Sequence, residues 1–279
     1  MPDIGFVNGH FAPLADTMVS VEDRGFQFGD GVYEVIRTYR GVPYQLEAHL
    51  TRLARSVRAI ELVNPYASSE WARYITQAID LADYPESKIY LQITRGVAPR
   101  DHAFPSSALP TAVLTVREMR PLGPALAANG VSAVTLEDIR WGRCDIKSTN
   151  LLPNLLARQR AKVAGAYEAI LHRADNVTEG SVSNVMIVRD DTVITPPDGP
   201  YILSGVTRSV VLDLARKNGI VVQERSLSLA ELCAANEVFL TGTTVEILPV
   251  VSLDGVAIRD GKPGPLTCCL RTLFQAALD

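Results

Sequence analysis

Several signals that mark large classes of protein are missing from this 279-residue sequence. Its four cysteines form no C-x-x-C pair and no pattern with histidine, so a zinc site has no support. No apolar run approaches the length that crosses a bilayer, and the N-terminal stretch has no secretory character. We therefore predict a cytoplasmic protein with reduced thiols, no metal site and no membrane contact.

Basic runs and nucleotide-binding fingerprints are missing as well. The formal net charge is -4, which gives no reason to expect a nucleic-acid partner. No G-x-G-x-x-G follows a predicted strand, so a nucleotide-dependent dehydrogenase has little support. With 47% hydrophobic and 21% charged residues, the chain has the composition of a globular protein with a sizeable core.

The first part of the chain, residues 1–119, predicts a small α/β domain. Asn8-Gly9 and Arg40-Gly41 lie between apolar residues and predict two hairpins. Apolar residues recur at spacings of three and four from Leu50 to Ile60, which predicts an amphipathic helix. A second helix is expected to have Ser68-Ser69 as its N-caps.

A break in the pattern separates this domain from residues 120–279. Two prolines and two glycines lie between Arg117 and Gly130, which we interpret as the connector. Beyond it, strands and helices, including a helix predicted from Asn150 to Gly165, alternate without a steady β-α-β rhythm. The fold class predicted is therefore α/β (α+β) in two domains, not a Rossmann sheet or a TIM barrel.

One lysine stands in unusual surroundings in the stretch RWGRCDIKSTNLLPNLLARQRA, Arg140 to Ala161. Apolar residues closely precede Lys147, and small polar residues follow it. An amine that is partly removed from water is a nucleophile that forms Schiff bases with carbonyls, including that of pyridoxal phosphate. From this stretch alone, a solvated lysine at a helix entrance is the favoured alternative.

A pyridoxal phosphate site also needs a grip on the phosphate and an acid for the pyridine nitrogen. The predicted helix start at Val206-Thr207 and the predicted loop Leu240 to Thr244, with its glycine and hydroxyls, are candidate anion sites, and Arg52 adds a charge. Glu179 is the candidate acid, in a turn rich in short polar residues. Each of these also fits an ordinary cap, turn or surface residue.

A candidate for recognising a carboxylate lies in the first domain. Arg100 and His102 are two residues apart in the Pro-flanked loop TRGVAPRDHAFP, and in extended chain that spacing points side chains the same way. A guanidinium beside an imidazole suits a carboxylate. Taken alone, two solvated loop residues are the favoured alternative.

Seven stretches of the chain occur in the order typical of one family. Together they are far more specific than any one of them, and they cover nearly the whole chain. The sequence resembles the fold-type IV (class IV) pyridoxal-phosphate-dependent aminotransferases, and within them the D-amino-acid transaminases. The stretches are DRGFQFGDGVYEV, TRGVAPRDHAFP, EDIRWGRCDIKSTNLL, YEAILHR, VTEGSVSNV, LSGVTR and NEVFLTGTT.

The resemblance implies a homodimer whose smaller N-terminal α/β domain precedes a larger mixed α/β domain with a barrel-like sheet. It implies that Lys147 holds pyridoxal 5'-phosphate as a Schiff base and moves the proton, while Glu179 pairs with the pyridine nitrogen. The other implied cofactor contacts are Arg52, Ser183, Leu203, Val206, Thr207, Gly242 and Thr243. The implied contacts to the substrate are Tyr33, Arg100 and His102.

Three positions depart from the family pattern. Gly242 stands where a serine is expected, so its phosphate contact would be through the backbone, and Phe26 and Gly142 replace larger or more polar residues. These changes spare the implied chemistry, a ping-pong transfer from D-amino acids such as D-alanine or D-glutamate to 2-oxoglutarate or pyruvate. The alternatives are a branched-chain L-amino-acid aminotransferase, an (R)-amine transaminase, an aminodeoxychorismate lyase and a non-enzymatic protein that only binds the cofactor.

Overall fold

The computed structural model describes residues 2–278, and within this range it describes Ala127 by its backbone alone. These residues form two compact units. The first comprises the chain up to Arg120 together with Ile146–Asn150, and the second comprises Pro121–Asp145 and the chain from Leu151 onward. Each unit has its own sheet and its own apolar core.

A six-stranded antiparallel sheet is the framework of the first unit. Its strands are β1 (Ile4–Val7), β2 (His10–Pro13), β3 (Gly31–Tyr39), β4 (Val42–Pro43), β5 (Ser87–Thr94) and β6 (Thr111–Glu118). Their order is β2-β1-β6-β5-β3-β4. Ile89, Leu91 and Ile93 of β5 are fully buried, because alternate side chains of a strand point to the same face.

Both hairpins predicted from the sequence are present. Asn8 and Gly9 join β1 to β2 with φ values of 47° and 93°. Arg40 and Gly41 join β3 to β4 with φ values of 52° and 77°. Positive φ at both central residues is the turn geometry that matches the twist of paired strands. The two turn predictions are confirmed.

Two long helices pack on the sheet of the first unit. Leu53 and Ile75, on the apolar faces of these helices, are fully buried. The predicted N-cap at Ser68-Ser69 is wrong, because Ala67 occupies that position and its N–H donates to the carboxylate of Glu70 at 2.9 Å. The helical elements of the unit are a 3-10 turn (Leu14–Asp16), α1 (Arg24–Phe28), α2 (Leu46–Ala59) and α3 (Ser68–Ala82).

The short segment Ile146–Asn150 belongs to the first unit, although the sequence analysis placed it in the second domain. The N–H of Tyr33 donates to the carbonyl of Lys147 at 2.9 Å, and the N–H of Thr149 donates to the carbonyl of Gly31 at 3.0 Å. The segment therefore pairs with the start of β3, and its first residue is buried in the core of the unit. Pairing across so many intervening residues leaves no local pattern in the sequence.

A nine-stranded mixed sheet is the framework of the second unit, in the order β12-β11-β10-β13-β14-β7-β8-β9, with β15 paired to β14. Its strands are β7 (Val131–Glu137), β8 (Glu168–Arg173), β9 (Asn176–Gly180), β10 (Asn184–Arg189), β11 (Thr192–Thr195), β12 (Val221–Glu224), β13 (Glu237–Gly242), β14 (Glu246–Leu253) and β15 (Val256–Ala257). The N–H of Gly180 donates to the carbonyl of Ser183 at 2.7 Å, so the end of β9 returns to β10 and the sheet curls. The barrel-like sheet predicted above is confirmed.

The helices of the second unit refine the predicted boundaries. The predicted helix from Asn150 to Gly165 starts two residues late, at Leu152, with a proline in its first turn. The connector contains a short helix, and strand β13 extends through Gly242, so the predicted loop starts later than expected. The helices are α4 (Pro124–Asn129), α5 (Leu152–Val163), α6 (Val206–Lys217), α7 (Leu229–Cys233) and α8 (Pro265–Ala276).

Three further features of residues 2–278 bear on other classes of protein. None of the helices described there is long and apolar enough to cross a membrane. Those same residues contain no group of three or more His, Cys, Asp or Glu side chains arranged to hold a metal ion. The four cysteines, Cys144, Cys233, Cys268 and Cys269, are free thiols.

Candidate active site

Lys147 is held by the backbone of the first unit at the start of β3. Its N–H donates to the hydroxyl of Ser56 at 3.2 Å, and its carbonyl accepts from Tyr33 as described above. Its Nζ lies 4.4 Å from the centroid of the Tyr33 ring, which in turn stacks on Tyr90 at 5.5 Å between centroids. The amine therefore stands half-buried over an aromatic face, in surroundings unlike those of a solvated lysine.

Arg52, predicted to bind phosphate, is locked to a buried carboxylate. Its Nε donates to Oε1 of Glu34 at 2.7 Å, and its Nη2 donates to Oε2 at 2.8 Å. The Nδ1–H of His49 donates to the same Oε2 at 2.7 Å. Glu34 is fully buried on β3, and the other two side chains project from α2. This fork-to-fork geometry fixes the direction of the guanidinium.

Burial and charge act in opposite directions on this group of three. Burial raises the pKa of Glu34, but the charge and hydrogen bonds of Arg52 outweigh it and lower that pKa to about 2. Burial also lowers the pKa of His49, which the carboxylate only partly offsets. At neutral pH the cluster is therefore an ion pair with a neutral histidine.

Arg100 and His102 lie against one aromatic ring of the first unit. The Arg100 guanidinium is 4.3 Å from the centroid of Phe28, and the His102 ring is 5.5 Å from it. The Nη1 of Arg100 donates to the carbonyl of Gln27 at 3.3 Å. Both side chains are exposed, so the pair presents a guanidinium and an imidazole at the surface of the unit.

In the second unit, Glu179 is held by three donors. Its Oε1 accepts a short hydrogen bond from Nη1 of Arg140, and its Oε2 accepts from Nδ2 of Asn184 at 3.0 Å and from the N–H of Leu203 at 3.1 Å. All but Leu203 are buried. Donors of this kind stabilise a carboxylate and oppose its protonation.

Arg140 is itself supported by a second acid. Its Nε and Nη2 donate to the carboxylate of Asp138 at 2.9 Å and 2.8 Å. Burial lowers the pKa of Arg140, but Asp138 and Glu179 outweigh burial and raise it. Burial raises the pKa of Asp138, yet the hydrogen bonds from Arg140 lower it overall. The result is an acid–arginine–acid chain that ends at Glu179.

A glycine permits the approach of Asn184 to Glu179. A Cβ at Gly205 would lie 1.9 Å from Oδ1 of Asn184, well inside contact distance. The amide of Asn184 donates both to Glu179 and to the carbonyl of Leu203 at 2.9 Å. A side chain at Gly205 would therefore displace the group that orients the carboxylate.

The predicted phosphate contacts of the second unit lie at a helix start and a strand end. Gly205 precedes α6, and the first bond of that helix runs from the N–H of Ser209 to the carbonyl of Gly205. The N–H groups of Val206 and Thr207 precede it, which is the arrangement that binds anions. Gly242 is the last residue of β13, and Thr243 follows in the turn before β14.

Ser183 differs from its expected role beside the cofactor ring. Its hydroxyl donates to the buried carboxylate of Glu168 at 3.0 Å. A Cβ at Gly180 would lie 2.1 Å from the same hydroxyl oxygen, so the turn between β9 and β10 is tightly packed. In this structure the Ser183 side chain supports the turn.

Sequence reasoning missed four residues that orient the predicted ones. Glu34 and His49 orient Arg52, and Arg140 and Asn184 orient Glu179. Glu34, Arg140 and Asn184 stand inside the stretches that carry the family resemblance, but a charged or amide residue in a stretch does not reveal its partner. The available signal was a charged residue at a position where strand alternation predicts burial, as at Glu34.

Comparison with known proteins identifies the family. Residues 31–253 match the family described as amino-transferase class IV. A D-alanine aminotransferase of Listeria monocytogenes serotype 1/2a (strain 10403S) is 45% identical over 271 residues, which cover 96% of this chain and 93% of the relative. A D-alanine aminotransferase of Bacillus licheniformis is 42% identical over 272 residues, covering 97% and 95% of the two chains.

A solved structure agrees with the fold. A branched-chain amino acid aminotransferase from T.th., crystallised with pyridoxamine 5'-phosphate, aligns with a TM-score of 0.91 and 27% identity. The alignment covers 99% of this chain and 93% of that chain. The two-part mixed α/β architecture with a curled sheet is therefore the fold-type IV architecture implied by the sequence.

Glu34→Gln should weaken the acid dependence of stability. The pKa of Glu34 is about 2 in the folded chain against an ordinary value of 4.5, so its ionisation stabilises the fold above pH 4.5. This contribution, on the order of 3 kcal/mol, is lost as pH falls from 4.5 toward 2. We expect the melting temperature of the variant to lie below that of the wild type at pH 7, and the gap to narrow by about pH 3.

Thermal unfolding followed by circular dichroism at several pH values measures this gap. Glu118→Gln, at an exposed carboxylate of β6, is the matched control and should follow the wild-type curve. Parallel curves for wild type and Glu34→Gln would contradict the assignment of the ion pair to folding.

Proposed function

The chain belongs to the class IV aminotransferase family, and we propose that it uses pyridoxal 5'-phosphate to transfer the amino group of D-amino acids to 2-oxo acids. It is therefore an aminotransferase. The observation that carries the D-amino-acid assignment is 42–45% identity to D-alanine aminotransferases over nearly the full length of both chains. Identity to the branched-chain enzyme described above is 27%.

The groups present fit a phosphorylated pyridine cofactor. The chain offers an amine over an aromatic face at Lys147, a carboxylate held ionised at Glu179, and the anion-binding start of α6. When bound, pyridoxal phosphate supplies an electron sink that stabilises negative charge at the substrate α-carbon. We propose that Lys147 joins the cofactor and that the phosphate is bound by Arg52, Val206, Thr207, Gly242 and Thr243, with Leu203 and Ser183 near the ring.

Two residues carry the proton chemistry of the proposal. Lys147 removes the proton from the substrate α-carbon and returns it elsewhere, since an amine that is half-buried is suited to general acid–base work. Glu179 keeps a proton on the pyridine nitrogen, because its carboxylate is anchored in the ionised form by Arg140, Asn184 and a backbone N–H. The carboxylate thus interacts with a cation without having to lose a proton of its own.

Substrate recognition is assigned to the first unit. Arg100 and His102 present two donors around the ring of Phe28, and together with Tyr33 they are proposed to bind the carboxylate of the amino acid. A planar guanidinium and an imidazole are well suited to a carboxylate. This assignment distinguishes the proposal from an (R)-amine transaminase, whose substrates have no such group.

Fold likeness alone does not separate the D-amino-acid branch from the branched-chain one. The TM-score of 0.91 to a branched-chain aminotransferase comes from shared architecture, which the two branches have in common. The D-amino-acid assignment therefore depends on sequence identity over the whole chain and on Arg100 and His102. A direct test of the preferred stereochemistry is needed.

A homodimer is proposed from the exposed apolar face of α5. Leu152, Leu155, Leu156 and Val163 are 67%, 61%, 46% and 78% exposed, and they lie on one side of the helix. Contiguous apolar patches of this kind mark interaction surfaces. A second copy is the occupant that the family resemblance implies. The cytoplasmic location stays a prediction from the sequence.

D-Alanine should bleach the visible absorption band of the cofactor-loaded protein when no 2-oxo acid is present. L-Leucine in a separate cuvette should leave the band unchanged, because the proposed site positions only the D enantiomer for proton removal. The measurement is the visible spectrum before and after each addition. Loss of the band with L-leucine alone would move the protein to the branched-chain branch and remove the roles proposed for Arg100 and His102.

Lys147→Ala should lower transaminase turnover by at least roughly 100-fold, since it deletes the general acid–base group. The variant should also lose the absorption band of the lysine-bound cofactor. Lys217→Ala, at an exposed lysine at the end of α6, is the control and should retain both properties. Wild-type turnover in Lys147→Ala would exclude the assigned role.

Leu155→Glu should convert a dimer into a monomer, because a carboxylate would be buried in the apolar contact without a partner. Sedimentation velocity of the purified variant measures this. Leu81→Glu, at an exposed leucine of α3, is the control and should sediment like the wild type. Unchanged sedimentation of Leu155→Glu would show that this face of α5 is not the contact.

A further inference from the structure

The loop that carries Arg100 and His102, residues 95–110, is tied at its base to the chain around α1. The N–H of Arg24 donates to the carbonyl of Gly96 at 2.9 Å, and the N–H of Ala98 donates to the carbonyl of Glu22 at 3.3 Å. Gly96 has a φ of 94°, and a Cβ there would lie 1.8 Å from the carbonyl oxygen of Leu109. The two ends of the loop therefore meet at a glycine that no other residue replaces without movement.

The side chain of Arg24 reaches further along the same loop. Its Nη1 donates to the carbonyl of Asp101 at 2.6 Å and to that of Ala103 at 3.3 Å. These two carbonyls belong to the residues on either side of His102. Arg24 is 3% exposed, so these bonds are formed out of reach of water. One residue thus holds the base of the loop through its backbone and the tip through its guanidinium.

A buried carboxylate determines the direction of that guanidinium. Asp30 Oδ2 accepts from Nε of Arg24 and from Nε of Arg95, both at 2.8 Å, and Oδ1 accepts from Nη2 of Arg95 at 3.0 Å. Arg95 donates further to the carbonyls of Ile60 at 2.8 Å and Glu61 at 3.0 Å. Burial raises the pKa of Asp30, but the two arginines lower it overall.

The balance of charge makes the loop part of this cluster. Two guanidinium groups share one carboxylate, so their remaining N–H groups need carbonyl acceptors. The carbonyls of Asp101 and Ala103 supply them for Arg24. A buried donor left without an acceptor costs more than the bond itself contributes. The loop and Arg24 therefore stabilise each other's position.

Aromatic contacts orient the outward side of the loop. The guanidinium of Arg95 lies 3.6 Å from the ring centroid of Phe104, and the ring of Phe28 in α1 contacts Arg100 and His102. The Arg24 guanidinium also lies 4.8 Å from the centroid of Phe28. The five-residue helix α1 therefore contacts the loop at its base, at its tip and at both proposed recognition side chains.

We propose that Arg24 is a positioning residue for substrate recognition: anchored by Asp30, it clamps the backbone on both sides of His102 and presents Arg100 and His102 to the substrate carboxylate. The inference rests on the proposed function for its substrate, but the clamp itself is a property of the chain. Ordering a loop before binding lowers the entropy cost of binding. The clamp should therefore affect the Michaelis constant for the amino acid more than turnover at saturation.

Arg24→Lys tests the proposal, because lysine keeps the charge but loses the planar fork that spans Asp30 and two carbonyls. In the cofactor-loaded enzyme, the Michaelis constant for D-alanine should rise roughly tenfold, as expected for loss of a charge-assisted hydrogen bond. Turnover should stay within about twofold and the cofactor absorption band should be unchanged. Hydrogen exchange measured by mass spectrometry should increase in peptides covering residues 97–109.

Phe104→Leu provides a second, milder variant. Phe104 is exposed, so its replacement spares the core, and only its contact with Arg95 is lost. Exchange in the same peptides should rise, and the Michaelis constant should rise by less than in Arg24→Lys. Arg117→Lys, at an exposed arginine of β6, is the matched control and should resemble the wild type in every readout.

Arg100→Met separates failure of the clamp from failure of the proposed recognition site. If Arg100→Met raises the Michaelis constant while neither Arg24→Lys nor Phe104→Leu changes it or the exchange, the clamp is refuted and the recognition site stands. If exchange rises in Arg24→Lys but neither it nor Arg100→Met changes the Michaelis constant, the loop does not bind substrate and the positioning role is refuted with it. A rise in both exchange and Michaelis constant supports the proposal.

Discussion

The candidate site depends on carboxylates that are buried against arginines. Glu34 directs Arg52, Asp138 supports Arg140 so that it reaches Glu179, and Asp30 directs Arg24. In each case the two charges share forked or repeated hydrogen bonds, which a surface pair rarely maintains. Isolated, any of these charges would be too costly to bury. Together they give side chains on separate elements a defined direction.

This arrangement has a functional rationale as well as a structural one. Chemistry at an α-carbon needs each group in one protonation state, and a carboxylate paired with an arginine stays ionised over the physiological range. The low pKa of Glu34 and the three donors around Glu179 both serve that end. Removing one partner leaves the other charge buried without compensation. The same pairs therefore link activity to folding.

Local sequence patterns predicted local structure well where the pattern was complete. The turns at Asn8-Gly9 and Arg40-Gly41 have the positive φ values that their residue types favour, and α2 follows the predicted apolar spacing. The cap of α3 was wrong because Ala67 needs no polar side chain there when Glu70 accepts from its N–H. The short helix of the connector was also missed, since prolines and glycines were interpreted only as breaks.

By itself, the sequence determined the family, the two-part mixed architecture and the residue types that a phosphorylated pyridine cofactor requires, because ordered motifs survive as local strings. Only the tertiary structure decided which groups support them. It paired the Lys147 segment with β3, joined Arg52 to Glu34, and bound Arg24 to the carbonyls on either side of His102. Those partners are distant in sequence and meet through strand pairing and burial, which no local periodicity records.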